Sequence, residues 1–363
     1  MMSEEIPVTN NSALFNKERL ILMLSEIAAI NDIFIFKTKV SDLKTAISES
    51  DGLISNLEST DVNPFRRDLL IAELDQILEA QTFERAKYYL KRLEKGVSQV
   101  KTGKVNDINL YRWKEYDGVI TDSLWVIPKR DTSGAHLGWY WGNFIPQIPH
   151  QMMLRYTKEN DWVLDAFAGS GTTLIECRKL GRNGIGIELN REIAQRAGDL
   201  IVEEPNTFNI TSEIVVGDAK SINYSETLAR FGIQEVQLLI MHPPYHDIIP
   251  FSDDEDDLSN SETTEEFLAV FAQVVKNATP VLEKERFLAL VIGDKYARGE
   301  WVPLGFYCMQ EVLKHGYLLK SIIVKNFDET RAKREQKELW RYRALAGGFY
   351  LFKHEYIFVF QKQ

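Results

Sequence analysis

The chain has 363 residues, 44% hydrophobic and 26% charged, an ordinary globular composition long enough for one large domain with a smaller one. Its 43 Lys and Arg against 53 Asp and Glu give a net charge of −10, so the whole chain repels phosphate and any nucleic-acid contact needs a local basic surface. No apolar run approaches the roughly 18 residues that cross a bilayer, the opening Met-Met-Ser-Glu-Glu is not a signal-peptide pattern, and Cys177 and Cys308 make no disulfide framework, so a reducing cytoplasm is the expected compartment.

Residues 1–12 are polar and read as a frayed end. From 13 to 103 the pattern is helical. Leu20, Met23, Leu24 and Ile27 share one helix face, and so do Leu70, Leu74, Ile77 and Leu78. Asn63-Pro64 reads as a helix start, a cap residue followed by proline at the first helical position. Thr82 starts a further helix, which Gly96 stops. No internal repeat and no chemical motif stands out, so residues 1–104 are expected to be a helical region for packing, dimerisation or DNA contact. Residues 105–135 are less regular and rich in aromatics (Tyr111, Trp113, Tyr116, Trp125), and read as a connecting segment with Lys129, Arg130 and Gly134 in a solvated loop. In 136–157, Trp139, Tyr140 and Trp141 read as core aromatics, and Pro149 as a helix start.

The segment Asp161 to Asn190 is the most informative. An apolar run, Trp162-Val163-Leu164, ends on Asp165, and the small-residue turn Gly169-Ser170-Gly171-Thr172-Thr173 follows. A helical pattern from Leu174 to Leu180, a Gly181 stop and a second apolar run ending at Glu188 complete a strand–turn–helix–strand unit. Glycines let a backbone approach a ligand closely, and the turn opens onto unpaired N–H groups at a helix start. Leu174 stands where a dinucleotide fingerprint wants its third glycine, and the Gly-Lys-Ser/Thr of a phosphate-gripping P-loop is absent. An acid at the tip of the next strand, here Glu188, can hold ribose hydroxyls.

The run Asp165-Ala-Phe167-Ala-Gly169-Ser170-Gly171-Thr172-Thr173 resembles the S-adenosylmethionine loop of the amino-group DNA methyltransferases, with Ala166 at the family's usual proline. The resemblance implies an α/β fold, Rossmann-like, with a mostly parallel seven-stranded sheet over 136–363. It implies that Asp165, Phe167, Gly169, Ser170, Gly171, Thr172, Thr173 and Glu188 bind S-adenosylmethionine. It places Asn143 and Pro146 in a motif covering the methionine end of that cofactor. It gives Asp218, at the end of the strand-like run Glu213 to Gly217, the adenine amino group.

Val236 to Tyr245 is an apolar strand delivering His242-Pro243-Pro244-Tyr245 to its C-terminal end, where parallel sheets bind ligands. This resembles the family's catalytic tetrapeptide: Asp, Asn or Ser, then Pro-Pro, then an aromatic. An exocyclic amine is a poor nucleophile because its lone pair is delocalised into the base. Acceptors on its two N–H bonds draw density back onto nitrogen. The first side chain and the first proline carbonyl supply them, and the prolines hold that carbonyl in place. Tyr245 offers a stacking face for a base swung out of the duplex. His242 departs from the pattern. As acceptor it must be neutral, so activity is expected to fall below about pH 6.5; with the acceptor function lost, the chain would be a silent partner subunit. His242 and His246 are separated by two prolines and do not form a helical metal pair, and no metal is expected. Neither cysteine follows a proline at a strand end, which disfavours a cytosine-C5 enzyme.

Asp253 to Asp257 reads as a solvated acidic loop, 264–285 as a helix and Arg286 to Asp294 as a strand, with Asp294, Lys295, Tyr296 and Trp301 on the site side. Helix 306–315 and strand 321–325 follow. Lys325, Arg331, Lys333, Arg334, Arg341 and Arg343 interleave with Trp340, Tyr342, Phe349 and Tyr350, the makings of a nucleic-acid track, although Glu329, Glu335 and Glu338 also suit a salt-bridged surface helix. His354 to Lys362 resembles the family's last strand, inserted antiparallel. The leading expectation is a site-specific DNA methyltransferase, base-flipping and of restriction-modification type, with adenine N6 slightly favoured over cytosine N4. Its expected partners are double-stranded DNA and a homodimer mate or a recognition or restriction subunit, with no membrane. An RNA amino-group methyltransferase and a non-catalytic DNA-binding or partner subunit are the alternatives.

Overall fold

The computed structural model describes residues 12–49, 62–140, 142–245, 257–297, 299–326 and 337–363. They fall into two compact units, one within residues 1–104 and 108–118, the other within 105–107 and 119–363. Residues 108–118 of the expected connecting segment thus belong to the first unit, and 119–135 to the second.

The first unit is a repeat. Strand β1 (Ser12–Asn16), helix α1 (Lys17–Ala28) and helix α2 (Ile33–Ser48) are followed by β2 (Val62–Arg66), α3 (Arg67–Leu78) and α4 (Phe83–Ser98). Every element of the second half starts and ends at one constant offset from its counterpart. Core positions match at the same offset: Leu20 with Leu70, Leu24 with Leu74, Ile27 with Ile77, Val40 with Leu90, Leu43 with Leu93. The helix caps match too. Asp32 accepts from the Phe34 and Ile35 amides at the start of α2, and Thr82 accepts from the Arg85 amide at the start of α4. β1 and β2 pair antiparallel with Leu14 opposite Pro64, which are counterparts themselves. α2 packs on α3 and α1 on α4, contacts that exchange when the halves are exchanged. The unit therefore has an internal pseudo-two-fold axis through its two-stranded ribbon. This corrects two expectations. A repeat is present, and Asn63-Pro64 lies in β2 rather than at a helix start, in a ribbon of two edge strands that tolerates the missing proline N–H.

The second unit is an α/β sheet covered on both faces. Its elements are β3 (Leu124–Trp125), α5 (Gln147–Tyr156), β4 (Trp162–Asp165), α6 (Thr172–Leu180), β5 (Asn183–Glu188), α7 (Arg191–Glu203), β6 (Ser212–Val216), α8 (Tyr224–Ala229), β7 (Val236–Met241), α9 (Thr264–Ala278), β8 (Leu282–Ile292), the hairpin β9 (Lys295–Ala297) and β10 (Glu300–Val302), α10 (Leu304–Leu313), β11 (Tyr317–Asn326), α11 (Lys337–Gly347) and β12 (His354–Lys362). The main sheet has eight strands in the order β3-β11-β12-β8-β7-β4-β5-β6, the two-residue β3 being one more than expected. β12 lies antiparallel between β11 and β8, and the other pairings are parallel. Alternate strand residues feed opposite cores: Leu164, Leu239 and Leu288 face Phe267, Phe271 and Leu304, while Val163, Leu238 and Ala289 face Ile148 and Met152. The expected helix over 264–285 ends at Ala278, because Thr279-Pro280 turns the chain into β8.

From β4 the chain runs outward through β5 and β6, then returns to place β7 on the other side of β4. The crevice at the carboxyl ends of β4 and β7 is the topological switch point, where open α/β sheets hold ligands.

Candidate active site

Asp165 closes β4. The next amide, Ala166 N–H, donates to the Ile240 carbonyl of β7 at 3.1 Å, so the turn after β4 and the corner after β7 start side by side. Asp165 is 1% exposed. Its Oδ1 accepts from the Phe167 amide at 3.0 Å and its Oδ2 from Thr173 Oγ1 at 2.5 Å, and burial pushes the carboxyl up to about 6. Gly169 and Gly171 take φ of 51° and 77°, the left-handed region; a Cβ on Gly169 would come within 3.1 Å of the Tyr140 ring. Glu188, at the tip of β5, accepts from the Gly169 amide through Oε2 and from the Asn190 amide through Oε1, both at 2.9 Å, and burial holds its carboxyl above the ordinary range.

Ser170, Thr172 and Thr173 are buried. Ser170 Oγ lies 3.4 Å from Thr172 Oγ1, which donates to Asn143 Oδ1 at 2.7 Å. The side chains of Asp165, Ser170, Thr172 and Thr173 therefore shape the turn from inside, and Phe167 and Gly169 are its partly open residues. Asn143 Nδ2 is buried without a partner. Pro146 is buried as the cap of α5. Asp218, beyond β6, is half-buried and accepts from the Lys220 amide and Ser221 Oγ.

The segment carrying Asn143 is clamped at both ends by one carboxylate. Glu176 of α6 is fully buried and accepts from His136 Nε2 and His150 Nδ1, each at 2.6 Å. Burial alone would raise Glu176, but these hydrogen bonds hold it down at about 2. Between the clamps, Phe144 stands edge to face with His242, ring centroids 4.9 Å apart. Residues 143 and 144 thus touch the glycine turn and the tetrapeptide in turn.

At the corner, Tyr245 OH donates to Glu355 Oε2 at 2.9 Å, and Lys325 Nζ donates to Glu355 Oε1 at 2.9 Å. His242 Nε2 lies 3.3 Å from the same phenol oxygen. With the phenol proton committed to the carboxylate, the imidazole proton belongs on Nε2 and the lone pair on Nδ1. Burial pushes the His242 pKa down to about 4, with Glu355 opposing and Lys325 reinforcing. The expected activity loss below pH 6.5 is corrected accordingly: the ring stays neutral well into acid. Gly293, after β8, makes room for Tyr245, since a Cβ there would meet the ring at 2.9 Å.

Lys325 is 5% exposed and paired with Glu355, so it stands behind the tetrapeptide and not on a DNA-facing surface. Arg341 and Arg343 are exposed on α11, Arg343 over the Trp340 ring. Arg331, Lys333 and Arg334 lie outside the described residues, as do Trp141, His246 and all of the acidic run except Asp257. Sequence reasoning missed Tyr140 over Gly169, the Glu176 clamp and Glu355. Their partners lie tens of residues away, and only the fold joins them. Among the described residues no cluster of His, Cys, Asp or Glu could hold a metal ion, and no helix is long and apolar enough to cross a membrane.

A family model for DNA methylases, the N6/N4 methyltransferase model, matches residues 19–199, a span that contains the glycine turn and stops before His242. The chain is 41% identical over 63 residues to the type II methyltransferase M.HpaI of Haemophilus parainfluenzae, covering 17% of this chain and 20% of that protein. It is 27% identical over 136 residues to the type II methyltransferase M.BglI of Bacillus subtilis, covering 38% and 37%. It is also 34% identical over 106 residues to a tRNA (guanine(10)-N2)-dimethyltransferase of Methanocaldococcus jannaschii, covering 29% of each. The matched stretches thus span well under half of these relatives' own length. The glycine turn, its place at the switch point beside the tetrapeptide strand, and these matches lead to one conclusion: the chain belongs to the N6/N4 family of DNA methylases.

Proposed function

We propose that the second unit transfers a methyl group from S-adenosylmethionine to the exocyclic amine of a base swung out of duplex DNA, adenine N6 in first place and cytosine N4 in second. The observation that carries this is the bond from Ala166 to Ile240, which sets the cofactor turn and the tetrapeptide side by side at the switch point. The residues suit the cofactor. Phe167, Gly169 and Glu188 line the partly open side of the turn, Asn143 Nδ2 is an orphaned donor beside it, and Asp218 closes the next strand. When bound, S-adenosylmethionine supplies an electrophilic methyl on sulfur. The chain's own groups prepare the amine: His242 Nδ1 and the Pro243 carbonyl accept its two hydrogens, Pro244 stiffens the corner, and Tyr245 supplies a stacking face. Glu355 fixes the Tyr245 hydroxyl and, through it, the imidazole.

The likeness to a tRNA methyltransferase supports a second reading, RNA as the substrate, with the same site. The test is calorimetry with S-adenosylmethionine followed by transfer of its tritiated methyl group to duplex DNA and to tRNA. Binding weakened by Glu188→Ala, with label entering DNA, supports the first reading. Label entering tRNA alone supports the second. Cofactor binding absent even with duplex present overturns both and leaves a non-catalytic partner subunit.

A further inference from the structure

We infer that the chain carries its own outlet for the proton that methylation of an amine releases: a relay from His242 through the Tyr245 hydroxyl to Glu355. This rests on the second unit's being an amino-group methyltransferase, whichever nucleic acid carries the amine, and it gives Glu355 a part in that reaction. The relay runs along the carboxyl edge of the sheet. His242 and Tyr245 follow β7, Gly293 after β8 leaves room for the Tyr245 ring, and Glu355 stands on β12 directly opposite Lys325 of β11. His242 Nε2 lies 3.3 Å from the Tyr245 hydroxyl oxygen, and that hydroxyl donates to Glu355 Oε2 at 2.9 Å.

Two observations separate a relay from a tether. Holding a phenol in place needs only a neutral acceptor. Here the acceptor is a carboxylate 3% exposed, paired at 2.9 Å with an ammonium group on a residue 5% exposed. Taking two charges out of water is costly, and well-packed apolar side chains often stabilise a core as well or better. The first position of the tetrapeptide is an imidazole, which has a nitrogen at each end of its reach. It takes a proton at Nδ1 while giving one from Nε2, and a carboxamide in that place only accepts. Burial first, then Lys325, lowers the His242 pKa to about 4 against the pull of Glu355, so the ring passes a proton on more readily than it keeps one.

The step balances. The amine lone pair forms the new N–C bond as the methyl–sulfur bond breaks and leaves its electron pair on sulfur. The nitrogen then carries a positive charge beside an electron-poor ring and is a far stronger acid than an imidazolium. Its proton goes to His242 Nδ1, the Nε2 proton goes to the Tyr245 oxygen, and the phenol proton goes to Glu355 Oε2. The products are a neutral methylamine, a neutral imidazole protonated at Nδ1, a neutral phenol and a neutral carboxylic acid. The positive charge lost at sulfur reappears as Lys325 without its counter-ion. An unpaired buried cation is unfavourable. It returns the Glu355 proton through Tyr245 to Nε2 once the product has left, and the Nδ1 proton passes to water in the emptied site.

The experiment measures the first-turnover rate of the full chain with S-adenosylmethionine carrying a tritiated methyl group, on whichever of unmethylated genomic duplex and tRNA takes the label. Wild type is expected to be flat between about pH 6 and about pH 9, because the acceptor is internal. Tyr245→Phe keeps the ring and cuts the relay. It is expected to lose about 10-fold at the acid end and to recover to within about 2-fold at the alkaline end, where solvent base takes the proton; the loss is below the usual general-base contribution because His242 still accepts a hydrogen bond. Lys325→Met/Glu355→Gln keeps a neutral acceptor for the hydroxyl and is expected to follow the same profile. A second readout needs no cofactor: nitrogen-15 NMR of the unliganded, histidine-labelled chain is expected to find the His242 proton on Nε2. A flat profile in either variant, at whatever level, or the resting proton on Nδ1, overturns the relay and leaves methylation standing. Label entering neither nucleic acid with wild type removes the methyltransferase reading, and the relay with it.

Discussion

His242 carries the most specific residue-scale expectations. Its pKa of about 4 means a neutral imidazole over the working range, so the single-turnover rate of methyl transfer should be flat from pH 8 to 5. A fall centred near pH 6.5 would show an exposed, ordinarily titrating ring. His242→Asn keeps an acceptor and should stay within about 10-fold of wild type, whereas His242→Leu should lose on the order of 100-fold. Equal rates for the two would remove the ring from the amine. The same group affects stability. Between pH 6.5 and about 4 the unfolded chain binds a proton at His242 that the folded chain excludes, so its contribution to stability falls with pH through that window. Asp165 has the opposite sign. Its carboxyl, raised from 3.8 to about 6, keeps a proton in the folded state that the unfolded chain releases, so its contribution falls as pH rises through that window. Asp165→Asn should therefore gain on wild type as pH rises from 4 to 8. Melting temperatures check this, and a constant offset would mean the carboxyl titrates normally. Lys325→Met strands Glu355 in the interior and should cost about 3–5 kcal/mol, much of it recovered when Glu355→Gln is added. Denaturant unfolding measures both, and a strictly additive pair would deny the coupling.

At the scale of elements, the pseudo-two-fold makes a quantitative demand. Leu24 and Leu74 are counterparts, both fully buried in one core. Replacing either by Ala should cost about 2–5 kcal/mol, and the two costs should agree within about 1 kcal/mol. A large inequality, read from unfolding curves of the full chain, would contradict the symmetric packing. The repeat was hard to read from sequence for a plain reason. Its matched positions are the buried ones, and buried positions at helical spacing look alike in any pair of amphipathic helices. The strands gave no help either, since Asn63-Pro64 has the composition of a helix start and only pairing with β1 makes it a strand. By contrast β4, α6 and β5 were legible almost to the residue, because an apolar run, a glycine turn, a helical stripe and the Gly181 stop are all local signals. The Glu176 clamp was not, since an acid in a helix reads as solvent-facing until two histidines meet it. Glu176→Gln should weaken cofactor affinity by loosening residues 136–150 while leaving the turn's own hydrogen bonds intact. Calorimetry reads the effect, and an unchanged affinity would make the clamp a matter of stability alone.

For the whole molecule, the order of strands does the decisive work. Two motifs separated by the whole of β5, α7, β6 and α8 meet because β7 returns to the free side of β4. Their order and their places at strand ends could be read from the chain. The residues that hold them together, Phe144 against His242 and Glu355 behind Tyr245, could not, since each contact joins segments about a hundred residues apart. The charge pattern misled in one place: Lys325 looked like part of a basic track and is an interior partner of Glu355. The most direct measurement incubates the full chain with duplex DNA and S-adenosylmethionine carrying a deuterated methyl group, digests the DNA and weighs its nucleosides. The account expects deuteromethyl on adenine N6, or on cytosine N4, lost in His242→Leu and much reduced in Tyr245→Ala. Deuteromethyl on cytosine C5, or an amine product undiminished in both variants, would contradict it.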